Sequence, residues 1–390
     1  MDVAMLVLHS SPLDALGARD AGGMSVVLQE LSAALARRGH RVDLFTCRGD
    51  SPPGEPVALT PGVRLVRLEA KGAASAPKEA LYRHVRAAAA EVIRFAEDAG
   101  RAYSLVHSHY WVSGSAGQEV AGAWRVPHLV TFHTLGAAKN RLACGEDVSP
   151  RRLEAERHLT ANADRILVPS AREARVLTES YGDPGDRLAV VGWGVDHTRF
   201  CPGDRVAARE EVGVKHDVRA LLFVGRHVPV KGLDLLLAAL PEVAAYQPQV
   251  RLLVAGGDAA SAVEGDSAGR VTWLGPVARE RLPLLYRSVD ALVVPSRYES
   301  FGLVVLEALA CGTPVIATRV GVVDEVVCDG VNGRRADVPA PDALARAILE
   351  QLESEPPSPA AIRDSVARWS WERTGMAIEG VYREVVEHGG

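Results

Sequence analysis

The chain has 390 residues, 47% of them hydrophobic and 24% charged, enough to bury two ordinary cores and too apolar for a disordered tail. Its 44 Lys and Arg against 49 Asp and Glu leave a net charge of −5, which argues against a nucleic-acid binder held by a broad basic face. No apolar run approaches the roughly 20 residues needed to span a bilayer.

Met5–His9 reads as a buried first strand, because Asp2 stands where a signal peptide carries Lys or Arg. Gly22-Gly23 then precede an amphipathic helix, Ser25–Arg38, stopped by Gly39. Strands follow at Arg41–Thr46 and Val63–Leu68, a long helix near Glu79–Glu97, and strands at Leu105–His109 and Leu129–His133. A helix near Pro150–Ala161 leads into a strand at Arg165–Pro169, and Ser170 with Glu173 forms a capping box for the next helix. Gly and Pro concentrate between Tyr181 and Asp204, which marks an interdomain linker. The alternation resumes with a strand at Ala220–Val224, a helix from Leu233, and strands at Arg251–Ala255, Val271–Leu274 and Ala291–Val294. A helix from Leu303 and a strand at Val315–Thr318 come next, and Trp369–Val386 is an amphipathic segment able to pack on either domain.

Short apolar strands spaced by helices imply an α/β protein with two doubly wound parallel sheets. Ligand sites are then expected at the carboxyl ends of the strands, facing a cleft between the domains. Cys47, Cys144, Cys201, Cys311 and Cys328 form no close pair, which suits reduced thiols in a cytoplasmic protein and argues against a zinc cluster.

Glu299-Ser300-Phe301-Gly302-Leu303 followed by Glu307 is the most informative stretch. Glu299 lies on a loop, whereas Glu307 falls in a helix that is apolar on every side and must meet hydroxyls or a cation there. The N–H groups at Gly302 and Leu303 open that helix and can receive an anion. The plain alternative is a solvated loop Glu and a helix Glu paired with Arg.

Arg226 after a strand and Lys231 before an apolar helix suit a diphosphate, Arg by a planar fork and Lys by a compact charge; a solvated basic loop is the alternative. Gly22 and Gly23 would let backbone approach a phosphate, or form an ordinary turn; no G-x-G-x-x-G is present, which weakens a dinucleotide oxidoreductase. His107, His109, Tyr110 and Trp111 end one strand, and His133 and Thr134 end another. His133 is a candidate catalytic contact, although a lone His also serves as a packed polar residue.

In this order the motifs resemble the retaining GT-B glycosyltransferases of family 4, over nearly the whole chain. Glu299 to Glu307 fits the family's E-x7-E signature, Arg226 with Lys231 its diphosphate cluster, and Trp369–Val386 its C-terminal crossover helix. Ser11-Pro12, Asp20 to Met24, His107 to Trp111, and His133-Thr134-Leu135 with Lys139-Asn140 are similar to the mycothiol-pathway branch, and sucrose-phosphate synthases share part of the pattern.

That branch moves N-acetylglucosamine from UDP-GlcNAc to 1L-myo-inositol 1-phosphate. The resemblance implies an acceptor-binding domain over 1–190, a nucleotide-sugar domain over 191–368, and a C-terminal helix over 369–390 crossing back to the first. It places the donor on Gly22, Gly23, Arg226, Lys231, Glu299, Ser300, Phe301, Gly302, Leu303 and Glu307, with His133 near the reacting carbon. It places the acceptor on Ser25 and the acceptor phosphate on Lys78, Tyr110, Thr134 and Arg152. Ser25 stands where the branch usually has Asn, and Gly192-Trp193-Gly194-Val195-Asp196 where the family more often has Pro-Gly-Val-Asp. An aminocyclitol acceptor, or an NDP-sugar 2-epimerase of the same architecture, therefore stays open. Small-molecule partners, no required cofactor (Mg2+ compatible but not essential), no nucleic acid, no membrane span and a possible homodimer complete the expectation.

Overall fold

The computed structural model describes residues 1–11, 13, 22–49, 51–142, 148–257, 269–355 and 357–388. Asp20, Ala21 and Cys144 lie outside them. The chain forms two compact units, one of Met1–Gly192 with Trp371–Gly390 and one of Trp193–Ser370.

The first unit carries strands β1 (Asp2–Leu6), β2 (Arg41–Thr46), β3 (Pro56–Thr60), β4 (Val63–Arg67), β5 (Leu105–His109), β6 (His128–Thr131), β7 (Arg165–Val168) and β8 (Leu188–Val190). Its helices α1 (Gly23–Arg37), α2 (Val85–Asp98), α3 (Trp111–Trp124), α4 (Gly136–Arg141), α5 (Pro150–Asn162) and α6 (Ala171–Tyr181) connect them. The sheet order is β3-β4-β2-β1-β5-β6-β7-β8. The chain builds outward from β1 to one side and then from β5 to the other, so β1 and β5 flank a topological switch point. Every residue of β1, β5 and β6 is buried, as a parallel sheet covered on both faces requires.

Side-chain caps set helix starts here. Ser170 accepts from the Glu173 N–H at 3.1 Å, as the capping box predicts. Ser149 with Pro150 behind it opens α5 by accepting from the Arg152 N–H. The first strand lies earlier than expected because β1 pairs Asp2 to Leu6 with Arg41 to Phe45; Val7 and Leu8 continue as buried connection. The single long helix near Glu79–Glu97 is instead a 3-10 coil, Lys78–His84, followed by α2. Tertiary contacts prevail over helix propensity there, because Tyr82 stacks on Trp111 with ring centroids 5.4 Å apart and Glu79 accepts from Ser149 Oγ at 3.2 Å. β3 was not anticipated; it is an antiparallel edge strand whose side chains alternate in exposure, with Pro at its first position.

The second unit carries β9 (Arg219–Val224), β10 (Val250–Ala255), β11 (Val271–Gly275), β12 (Ala291–Val294), β13 (Val315–Thr318) and β14 (Gly333–Ala336). Helices α7 (Arg205–Val212), α8 (Leu233–Tyr246), α9 (Leu282–Ser288), α10 (Leu303–Ala310), α11 (Val323–Val326), α12 (Pro341–Glu353) and α13 (Pro359–Asp364) accompany them. The order β11-β10-β9-β12-β13-β14 is parallel throughout and puts a second switch point between β9 and β12. Leu236, Leu240 and Val243 of α8 and Leu344 and Ile348 of α12 pack with Leu221, Leu252 and Ile316 of the sheet in one core.

The last helix, α14 (Trp371–His388), belongs to the first unit. Gly375 meets Ala34 of α1 with room for little more, since a Cβ there would lie 3.0 Å from the Ala34 Cβ. Glu379 pairs with Arg38, and the buried Tyr382 hydroxyl meets His107 Nδ1 at 2.7 Å. Among the described residues no helix is long and apolar enough to cross a membrane.

Candidate active site

At the first switch point, residues just past β1, β5 and β6 converge. Arg152 is 3% exposed and spends its planar fork on four groups. Nε donates to Glu156 Oε1 at 2.7 Å, Nη1 to Tyr110 Oη at 3.0 Å, and Nη2 to the Thr134 carbonyl and hydroxyl at 2.9 and 3.2 Å. The Tyr110 hydroxyl in turn donates to Glu79 at 3.4 Å. Lys78 Nζ stands 4.1 Å from the centroid of the same Tyr110 ring, which Arg152 also faces at 4.9 Å. Lys78, Tyr110, Thr134 and Arg152 thus form one cluster. Lys78 and Arg152 are therefore neighbours on one ring and not distant solvated charges.

The cluster differs from the sequence reading in two respects. Lys78 starts the 3-10 coil and not the α-helix, so its position rests on its loop; Arg48 ties that loop down by donating to the Ala73 and Ala76 carbonyls. Arg152 also comes with its own counterions. Glu156 is fully buried against Arg152, and Glu79 Oε1 lies 4.0 Å from Arg152 Nη1. Sequence reasoning missed both carboxylates, although Arg152 and Glu156 stand at the i, i+4 spacing that pairs side chains along a helix.

Tyr110 and His133 hold positive φ, 79° and 60°, where non-glycine residues are uncommon. Burial pushes His133 down to about 3, so the imidazole is neutral at physiological pH. His133 Nε2 meets His109 Nδ1 at 2.8 Å. His9, just past β1, lies 4.3 Å from the Tyr110 ring and was not singled out from sequence; its place at a strand end was the available signal. Ser25 is buried, and its contacts are with Ser10 Oγ at 3.3 Å and the Ser11 carbonyl at 3.5 Å, not with the Lys78 to Arg152 cluster. Gly22 caps α1 with an extended backbone that any residue adopts, and a Cβ there would meet nothing within 4 Å. The protein's own packing therefore does not demand glycine at 22. Gly23 is the first residue of α1.

At the second switch point, the loops after β9 and β12 lie together. Gly232 adopts φ 71°, and a Cβ on it would fall 2.0 Å from the Pro295 carbonyl, so only glycine permits this approach. The Arg297 N–H also donates to the Val230 carbonyl at 2.9 Å. This contact brings Lys231 Nζ to Glu299 Oε1 at 2.6 Å, where Ser296 Oγ donates as well at 2.9 Å. Arg226 is exposed, and its side chain makes no hydrogen bond or ion pair with a described residue. Gly302, at φ 96°, caps α10; the Val305 N–H donates to the Gly302 carbonyl at 3.0 Å, and the N–H groups of Leu303 and Val304 at the helix start have no residue behind them in the helix to donate to. Ser300 and Phe301 are buried beside it and Leu303 is half-buried. Glu307 is 5% exposed and meets a hydroxyl and a cation, as its burial demands: Tyr286 Oη donates to it at 3.1 Å and Arg279 Nε lies 3.9 Å away.

Two Rossmann-like units, each a largely parallel sheet with its own switch point, are the architecture of a GT-B glycosyltransferase. The sucrose-phosphate synthase of Thermosynechococcus elongatus superposes with a TM-score of 0.86 and 28% identity, covering 99% of each chain. A model described as Glycosyltransferase Family 4 matches residues 21–199, and one described as Glycosyl transferases group 1 matches 204–369. The D-inositol 3-phosphate glycosyltransferase of Geodermatophilus obscurus is 41% identical, covering 99% of this chain and 90% of the relative, and that of Mycolicibacterium gilvum is 40% identical over the same shares. The chain belongs to glycosyltransferase family 4.

Proposed function

We propose that this glycosyltransferase moves N-acetylglucosamine from UDP-GlcNAc to an inositol phosphate, with retention at the anomeric carbon. The observation that carries the reading is the Lys78, Tyr110, Thr134 and Arg152 cluster, two cations and two hydroxyls gathered on one ring. Such a set is suited to a phosphate monoester and excessive for a neutral hydroxyl. The names of the relatives, at about 40% identity, support the same acceptor.

In this scheme Arg226 and Lys231 neutralise the diphosphate as it leaves, which is stabilisation where charge develops. The N–H groups of Phe301, Gly302, Leu303 and Gly23 support the phosphates. Glu299 orients donor-sugar hydroxyls with Ser300 beside it, Glu307 takes the ribose hydroxyls, His133 contacts the sugar near the reacting carbon, and Ser25 contacts the cyclitol. The acceptor hydroxyl attacks the anomeric carbon from the face that the diphosphate leaves. A new C–O bond forms, the old one breaks, and the hydroxyl proton passes to the departing phosphate oxygen.

The test crosses UDP-sugars with inositol phosphates, free cyclitols and aminocyclitols, read by mass spectrometry, with anomeric configuration read by NMR. Preferred use of UDP-GlcNAc with an inositol phosphate is expected, and Lys78→Ala should raise acceptor KM about tenfold while sparing UDP affinity. Better use of an unphosphorylated cyclitol would overturn the acceptor, and UDP release with sugar epimerisation and no acceptor would overturn transfer itself.

A further inference from the structure

The buried histidines of the first unit are more numerous than the proposed chemistry uses. His107 and His109 at the end of β5 and His133 past β6 stand in a row, with ring centroids 4.2 Å apart for the first pair and 5.1 Å for the second. His107 is held at both nitrogens, Nδ1 against the Tyr382 hydroxyl at 2.7 Å and Nε2 against Thr131 Oγ1 at 2.9 Å. It therefore forms a fixed wall for the His109 ring. His109 is fully buried, and its one hydrogen bond runs from Nδ1 to His133 Nε2 at 2.8 Å; its Nε2 has no hydrogen-bond partner.

We propose that His109 is a positioning residue for His133, locking that ring in one orientation and in the tautomer that carries its proton on Nδ1. Exactly one proton can lie between the two facing nitrogens while both rings are neutral. If His133 Nε2 carried it, His109 would have to keep its own proton on Nε2, an N–H buried without an acceptor. Orphaned buried N–H groups are rare because each forfeits the hydrogen bond it had in water. With the proton on His109 Nδ1, the unsatisfied Nε2 is a bare lone pair, and His133 Nε2 accepts. Burial disfavours the charged form of both rings, so a shared imidazolium does not compete.

The same bond stabilises the positive φ of His133, which places its ring against a partner on the neighbouring strand. His133 then serves the donor sugar as a neutral hydrogen-bond donor through Nδ1. This role rests on the proposed contact between His133 and the sugar; the tautomer does not.

The test is 15N-histidine NMR on the full chain without substrate, with His133 assigned by loss of its signals in His133→Asn. The Nδ1–H tautomer is expected, and a proton on His133 Nε2 overturns the proposal whatever the enzyme transfers. His109→Leu, checked by thermal melting, should mix the His133 tautomers and lower kcat about tenfold with acceptor KM little changed. His109→Asn, whose amide N–H takes the Nδ1 place, should restore the tautomer and most of kcat. Equal loss in Leu and Asn variants would mark His109 as packing alone. Should the Leu variant not fold, the wild-type spectrum still decides, and absence of glycosyl transfer with a correct tautomer would fault the proposed function and not this bond.

Discussion

Replacing Arg152 tests whether its role is structural as well as recognitive. Arg152→Ala removes the cation and leaves Glu156, which has no exposed surface, as a buried carboxylate. Glu156 keeps two donors, the Gly136 N–H at 2.8 Å and the Tyr181 hydroxyl, but loses its opposite charge. Breaking a buried pair by deleting one partner costs about 3–5 kcal/mol, and the surviving donors put this site near the lower end. For a unit of this size about 3 kcal/mol lowers the melting transition by about 6–12 °C. Differential scanning calorimetry of Arg152→Ala and of Arg152→Ala with Glu156→Gln measures it, and the second variant should recover part of the loss because no orphaned charge remains. An Arg152→Ala protein that melts within about 2 °C of wild type would refute the argument, since Glu156 would then be solvated. An elevated acceptor KM in Arg152→Ala is accordingly ambiguous evidence for phosphate contact, and Lys78→Ala is the cleaner probe.

Lys231→Ala should lower kcat at least tenfold by removing charge that meets the leaving diphosphate, with little change in melting because its partner Glu299 retains Ser296; wild-type turnover would remove Lys231 from the site. Glu307→Ala should weaken UDP binding by calorimetry and also cost about 1–3 kcal/mol of stability, since the buried Tyr286 hydroxyl loses its acceptor; unchanged UDP affinity would sink the ribose assignment. Glu79→Gln should lower KM for a phosphorylated acceptor, because its carboxylate, 3.4 Å from Tyr110 Oη, lies where a phosphate oxygen would go; a raised KM would contradict this. Burial lowers His107, His128 and His133 to about 3 from the ordinary value near 6.5, so the unfolded chain binds more protons between those limits. Stability is therefore full above about pH 6.5 and falls as the pH drops toward 3, by about 1.4 kcal/mol per pH unit for each such ring; a melting temperature that is flat from pH 7.5 to pH 5 would refute it.

The periodic parts of the fold were readable because each rests on local chemistry. β2, β5, β12 and β13 lie where their apolar runs placed them, and Ser170 caps α6 as its spacing to Glu173 required. The 3-10 coil at Lys78 was not readable, because Tyr82 on Trp111 and Glu79 on Ser149 decide it from elements distant in sequence. The same holds at the site. The residue types at Lys78, Tyr110, Thr134 and Arg152 could be matched to a family pattern, but their cluster, and the carboxylates beside them, exist only once the 3-10 coil and α5 meet the ends of β5 and β6. His109 illustrates the point most sharply: in sequence it is one of a pair flanking Ser108, and only the β5–β6 register turns it toward His133.

Both switch points arrive at the same electrostatic solution. Arg152 faces Glu156 and Glu79, and Lys231 faces Glu299, so one cation at each switch point is already opposed by a carboxylate. A buried Arg152 without a counterion would be costly to fold, and its carboxylates offset that cost while no anionic substrate is bound. Under the proposed function, substrate binding at either site would become an exchange of one anion for another. At the first, the half-exposed Glu79 can yield to a phosphate, whereas Glu156, with Tyr181 and the Gly136 N–H behind it, stays to keep the Arg152 fork aimed at Tyr110 and Thr134. At the second, a diphosphate that drew Lys231 away from Glu299 would leave that carboxylate's lone pairs for sugar hydroxyls. Under the proposed function, that exchange would set Lys231 on the leaving group and Glu299 on the sugar in a single step, coupling recognition of the two halves of the donor.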